Sequence, residues 1–145
     1  MKLSTRSRYG FRAMVELAIE YNKAPTQIKV IAKKQDISSK YLEHLMSTLK
    51  TAGLVRSIRG PKGGYMLSRS PSEIKASDVF VALEGPAVTV ECLDHPKYCS
   101  RCTDCATRQV WLRVQNAIFG VLESITLKDL ADNALSGENI GNYQI

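Results

Sequence analysis

Residues 60–64 read Gly-Pro-Lys-Gly-Gly, between the apolar positions Leu54, Val55 and Ile58 on one side and Tyr65, Met66 and Leu67 on the other. Three glycines and a proline in five residues rule out a continuous helix and supply the backbone freedom of a tight reversal. They predict a β-hairpin with one short strand on each side. Its exposed end carries Arg56, Arg59 and Lys62. Whatever this chain folds into must contain a basic β-ribbon, so the segments before it decide what the ribbon is for.

Those segments read as three helices. From Ser4 or Thr5, the apolar positions Tyr9, Phe11, Ala13, Met14, Val15, Leu17, Ala18 and Tyr21 recur at three- and four-residue intervals, one buried stripe on an amphipathic helix ending near Asn22. Pro25 forbids its continuation. Ile28, Ile31 and Ala32 set up a short second helix to about Gln35, and Asp36-Ile37-Ser38 breaks it. Ser38 or Ser39 can cap a third helix with Tyr41, Leu42, Leu45, Met46 and Leu49 as its stripe and Gly53 as a left-handed stop. Two short helices joined by a brief turn match the helix-turn-helix pattern, although a helical hairpin with no nucleic-acid role has the same periodicity. The basic hairpin that follows distinguishes the two. Helix, turn, capped helix, basic hairpin is the order of a winged helix-turn-helix, in which an arginine of the wing can enter the minor groove. The predicted fold is therefore mainly α with a small β-hairpin wing.

Charge supports that order. Residues 1–62 hold 13 lysines and arginines against 4 acids, a net of +9, whereas residues 63–145 have a net of −3. A positive N-terminal module is the footprint of a phosphate-backbone binder, with an anionic membrane surface as the weaker alternative. The opening MKLSTRSRYGFRAMVELA is interrupted by charge and has no apolar signal-peptide core. No stretch approaches the roughly 20 apolar residues of a membrane span. The expected location is the cytoplasm, where clustered cysteines more often bind metal or do redox work than form disulfides.

The second half is expected to dimerise and to sense. Residues 71–84 predict a short helix ended by Gly85-Pro86. Val110, Trp111, Val114, Ala117, Ile118, Val121, Leu122 and Ile125 form a stripe too apolar for a lone surface helix. Its partner is either the same helix in a second subunit, which would present two reading helices to a palindromic operator, or the N-terminal helix of its own chain. Thr126 can cap a last helix over 127–133 that packs on the winged module. The expected organisation is a winged domain over 1–85, a cysteine loop over 86–106, dimerisation and C-terminal helices over 107–133, and a mobile tail over 134–145.

All four cysteines lie in CLDHPKYCSRCTDC, residues 92–105, with spacing C-x6-C-x2-C-x2-C. Four soft sulfur donors suit a tetrahedral zinc or an iron-sulfur cluster. Zinc sites usually pair two C-x2-C elements across a longer spacer, whereas the run Cys99, Cys102, Cys105 is closer to a ferredoxin-type wrapping. A thiol redox protein or electron carrier could use the same cysteines but would not need the basic module. No Ser-His-Asp set, phosphate-cradling loop or paired carboxylates point to an enzyme.

MKLSTRSRYGFRAMVELA, ISSKYLEHLMSTLKTAGLVRSIRGPKGGYML and the cysteine cluster followed by a Trp-containing helix together resemble the IscR-like winged-helix regulators, dimeric bacterial repressors and activators that include iron-sulfur-cluster sensors. The resemblance covers residues 1 to about 133. It implies that Ser38, Ser39, Lys40, Tyr41, Glu43 and His44 sit at the major groove, with Glu43 discriminating between operators. It places Arg59 in the minor groove, with Lys62 beside it on the wing. It further implies an iron-sulfur cluster on Cys92, Cys99 and Cys105. The family's histidine ligand is here Arg108, and the position of an aspartate used by nitric-oxide-sensing relatives is Arg8; neither arginine coordinates iron. Cys102 is then the leading fourth ligand, with His95 or an exogenous molecule behind it. Resemblance favours [2Fe-2S], and the local cysteine run favours [4Fe-4S].

Overall fold

The computed structural model describes residues 2–86 and 90–137. Helix α1 (Thr5–Ile19) begins at Ser4, whose hydroxyl accepts from the Ser7 N–H, and ends three residues before the expected Asn22, which itself adopts a left-handed turn conformation with φ 65°. Helix α2 (Ile28–Gln35) has the predicted bounds, and Asp36 closes it in the left-handed region. Helix α3 (Ser39–Thr51) is capped by Ser38, which accepts from Tyr41 N–H, and Gly53 at φ 76° reverses the chain after it.

Strands β1 (Val55–Ile58) and β2 (Gly64–Leu67) pair antiparallel, from Val55 opposite Leu67 to Ile58 opposite Gly64. The hairpin is docked on the helices through Thr26, whose N–H and carbonyl exchange hydrogen bonds of 2.9 and 2.8 Å with Tyr65. Gly64 makes that docking possible. A Cβ there would lie 2.4 Å from the Thr26 carbonyl oxygen, and φ is +156°.

The helix expected over residues 71–84 is divided. A 3₁₀ turn (Pro71–Glu73) precedes helix α4 (Ala76–Glu84), because Ile74 and Ala76 are pulled into extended pairing with the chain after the long helix. Ala76 N–H donates to Ile125 carbonyl at 2.8 Å, and Leu127 N–H donates to Ile74 carbonyl at 2.9 Å. The cysteine segment holds one short helix, α5 (Glu91–Asp94), and a 3₁₀ turn (Pro96–Tyr98). Helix α6 (Ala106–Ser124) then runs 19 residues. Helix α7 (Leu127–Ser136), capped by Thr126, extends three residues past the expected Asn133 to the left-handed Gly137. The tail expected from 134 therefore starts no earlier than 137, and residues 138–145 lie outside the described residues.

One core joins α1, α3, α4 and α7. Met14, Leu17, Ile31, Leu42, Leu45, Met46, Leu49, Ile74, Val79, Leu83 and Leu127 are almost completely buried in it. Helix α6 contributes no buried residue. It lies along α4, and the chain re-enters the core at Leu127 just after it, so the cysteine segment sits between Glu84 and a helix that packs on the outside of the body. No helix among the described residues is long and apolar enough to cross a membrane.

Candidate nucleic-acid interface and cysteine site

Because Leu42, Leu45, Met46 and Leu49 bury one face of α3, the opposite face presents Ser39, Lys40, Glu43, His44 and Ser47 to solvent at helical spacing. Ser38 is exposed just before them. Tyr41 is different. It is half-buried, its ring meets Tyr9 edge-on at 6.1 Å between centroids, and its hydroxyl lies 3.4 Å from Thr5 Oγ1. Tyr41 therefore fixes how α3 sits on α1 as well as lying beside the exposed face. Arg12 stacks over Tyr9 at 5.5 Å and donates through Nε to Gln35 Oε1 at 2.6 Å, which holds α1 against the end of α2. Arg56, Arg59 and Lys62 are all exposed on the hairpin. Lys50 Nζ reaches Ser57 Oγ at 2.9 Å and ties the end of α3 to the wing.

Sequence reasoning missed the positioning residues Thr5, Tyr9, Arg12 and Thr26. Their partners are distant in sequence, and periodicity assigns Tyr9 to the stripe without saying what it touches.

The cysteines are free thiols: Cys92, Cys102 and Cys105 half-buried, Cys99 exposed. Cys99, Cys102 and Cys105 line one cavity of about 500 Å³ together with Lys97 and Arg108. Cys102 Sγ lies 3.6 Å from the Cys92 carbonyl oxygen, which brings the first cysteine's backbone to this group. Cys105 is the N-cap of α6, and its Sγ is 3.2 Å from Thr107 Oγ1. The Thr107 hydroxyl, followed by the Arg108 backbone N–H, holds this thiol below the ordinary cysteine range. His95 packs against Tyr98 at 5.4 Å between ring centroids and lies 3.9 Å from Asp94. Among the described residues, no group of three or more His, Cys, Asp or Glu side chains is already gathered around a metal position. The donor chemistry nevertheless fits a sulfur-ligated iron site: three thiols share a cavity, the fourth cysteine adjoins them, and a guanidinium faces them. Binding there would draw the loop together.

On α6, Val110, Val114 and Val121 are 52%, 38% and 59% exposed, an apolar stripe left uncovered by the rest of the chain. Beside it runs an apolar groove of about 650 Å³ between the start of α1 and α6, with Leu3, Phe11, Phe80 and Ile118 in its walls. Arg8 lies at this groove, away from the cysteines.

The family model Rrf2, described as an iron-dependent transcriptional regulator, matches residues 3–133. The chain belongs to the Rrf2 family. The HTH-type transcriptional regulator CymR of Bacillus subtilis strain 168 is 45% identical over 131 residues, covering 90% of each chain. The solved structure of that protein, titled the global cysteine regulator of B. subtilis, superposes with TM-score 0.78 at 44% identity over 91% of this chain and 97% of the other. The structure of T. potens IscR superposes equally well, at 37% identity over 99% and 95% of the two chains. This Rrf2 protein is thus a winged-helix, DNA-binding transcriptional regulator.

Proposed function

We propose that this Rrf2 protein acts as a homodimer on a palindromic operator in double-stranded DNA, with its affinity or choice of site set by an iron-sulfur cluster carried on residues 92–105. Ser39, Lys40, Glu43 and His44 read base edges, Ser38 and Tyr41 position the helix that carries them, and Arg59 and Lys62 hold the minor groove and its phosphates. Cys92, Cys99 and Cys105 hold the cluster, with Cys102 as the fourth ligand. The observation that carries this reading is the place of the loop: it lies between the Glu84 anchor on the winged body and the uncovered apolar face of α6.

The bound cluster would supply a redox- and iron-responsive change in the loop's charge and order. The chain's own residues convert that change into DNA binding. A second copy of α6 covers Val110, Val114 and Val121 and sets the spacing of two winged modules. Residues 92–105 open α6 at Cys105, so drawing the thiols together re-aims the first turn of that helix. At the other end of the loop, Glu84 holds the start of α1, and Tyr9 of α1 holds Tyr41 of α3. A difference of ~1–3 kcal/mol between the two states corresponds to a 5- to 150-fold change in affinity.

Absorption spectroscopy of anaerobically purified protein tests the reading, with visible bands and iron by elemental analysis as the expected result. Cys102→Ala should make those bands decay faster. A colourless protein containing zinc would leave the loop a structural metal site. The likeness to the cysteine regulator CymR favours a second reading, a DNA-binding regulator answering to sulfur supply with no cluster. Colourless, metal-free protein that binds DNA would support it.

A further inference from the structure

Arg108 lies in the first turn of α6, three residues after Cys105, at the position where the resemblance to IscR-like regulators places a histidine ligand. Its side chain lines the same cavity as Cys99, Cys102 and Cys105. Its Nε is buried and has no hydrogen-bond partner among the described residues. A guanidinium does not lose its proton in a protein, so burial of this N–H cannot be relieved by neutralisation. It needs an acceptor. None of the residues lining the cavity is an aspartate or glutamate; the wall offers three cysteine sulfurs beside the neutral side-chain oxygens of Ser100, Thr103 and Gln109, and only the sulfurs can become anionic partners for this cation. Lys97, the other cation of the wall, is exposed and its charge is screened by water.

An iron-sulfur cluster with four thiolate ligands carries net negative charge, and reduction by one electron adds to it. Net charge and hydrogen bonds to sulfur are among the factors that set cluster potentials. We propose that Arg108 serves this site not as a ligand but as its built-in counter-charge, donating N–H to cluster or thiolate sulfur and so raising the reduction potential and slowing cluster loss. This rests on the reading of residues 92–105 as a cluster site. In that arrangement the arginine recovers part of the potential that exchanging a neutral histidine ligand for a fourth thiolate would take away. It is a positioning and electrostatic residue, which neither binds iron nor accepts the electron.

The test is a potentiometric titration, with dithionite as the electron donor, of anaerobic holoprotein in the wild-type, Arg108→Met and Arg108→Lys forms. The half-time of the visible absorption in the presence of an iron chelator is followed alongside. The Met variant is expected to titrate at a more negative potential by about tenfold in the oxidised-to-reduced ratio, ~59 mV for a one-electron couple. Its chelation half-time should be shorter, and the Lys variant, which keeps the charge, should lie closer to wild type in both. A Met variant that retains no cluster while the Lys variant does would support the same conclusion. Equal potentials and half-times in all three proteins would overturn it, as would equal losses in both variants, which would mean that arginine's shape and not its charge is needed. A wild-type chain that shows no visible absorption would remove the cluster reading itself, and this inference with it.

Discussion

Ser7, buried in α1, donates its hydroxyl to the carboxylate of Glu84, the last residue of α4 and seventy-seven positions further along the chain. The same carboxylate accepts from Ser4, the N-cap of α1, while Arg6 donates to the neighbouring Leu83 carbonyl at 3.3 Å. A carboxylate is unfavourable at the C-terminus of its own helix and favourable at the N-terminus of another. Glu84 therefore belongs electrostatically to α1. The chain departs toward the cysteine loop at the next residue, so this anchor ties the start of α1 to the point where that segment leaves.

Ser7→Ala removes one part-buried hydrogen bond and is expected to lower the unfolding free energy in urea by about 1 kcal/mol. The Ser4 hydroxyl, then that of Ser7, keeps the Glu84 carboxyl below the usual carboxylate range. The stabilisation from this lowered native value is complete above the unfolded pKa of about 4.3 and is lost as pH falls through the native one. Wild type should accordingly lose stability more steeply on the acid side than Glu84→Gln, and identical acid limbs would contradict the assignment.

Gly64→Ala places a methyl group against the backbone carbonyl of Thr26, which cannot swing aside as a side chain would. The wing must give up its pairing with Thr26, at an expected stability loss of about 1–3 kcal/mol. DNA affinity should fall with it. Denaturation and fluorescence anisotropy on the same preparations check both effects.

Arg59→Ala should weaken operator binding and reduce the slope of log affinity against log salt by about 1. Glu43→Ala, at a proposed base-reading position, should instead change the ranking of operator sequences, by ~1–3 kcal/mol per base pair read. An unaltered affinity and salt slope would take Arg59 off the DNA.

Val114→Glu puts a charge on the uncovered stripe of α6 without touching the protomer's own core, since α6 buries none of its residues there. Sedimentation should show a folded monomer in place of a dimer. A dimer of wild-type stability would assign this face to another purpose.

What could be read from the sequence follows from how local the chemistry is. The bounds of α2, the Ser38 cap, the reversal at Gly53 and the hairpin were legible because caps, prolines, glycines and short apolar periods act within a few residues. The break at Ile74 and Lys75 was not, since its cause is pairing with Ile125 and Leu127. The Glu84 anchor and the packing of Tyr41 on Tyr9 were hidden for the same reason. Gly137 did carry a stop signal for α7, and reading the helix only to Asn133 overlooked it. In the cysteine loop the donor types were plain from spacing, while the shared cavity and the unpartnered Arg108 Nε emerge only in three dimensions.

Operator affinity decides whether the cysteine loop controls DNA binding. Anaerobic holoprotein and the same protein stripped of iron are titrated by fluorescence anisotropy into one labelled duplex at one salt concentration. The two affinities should differ by at least about fivefold. Equal affinities of the iron-loaded and iron-free protein for every operator of this family would contradict that control.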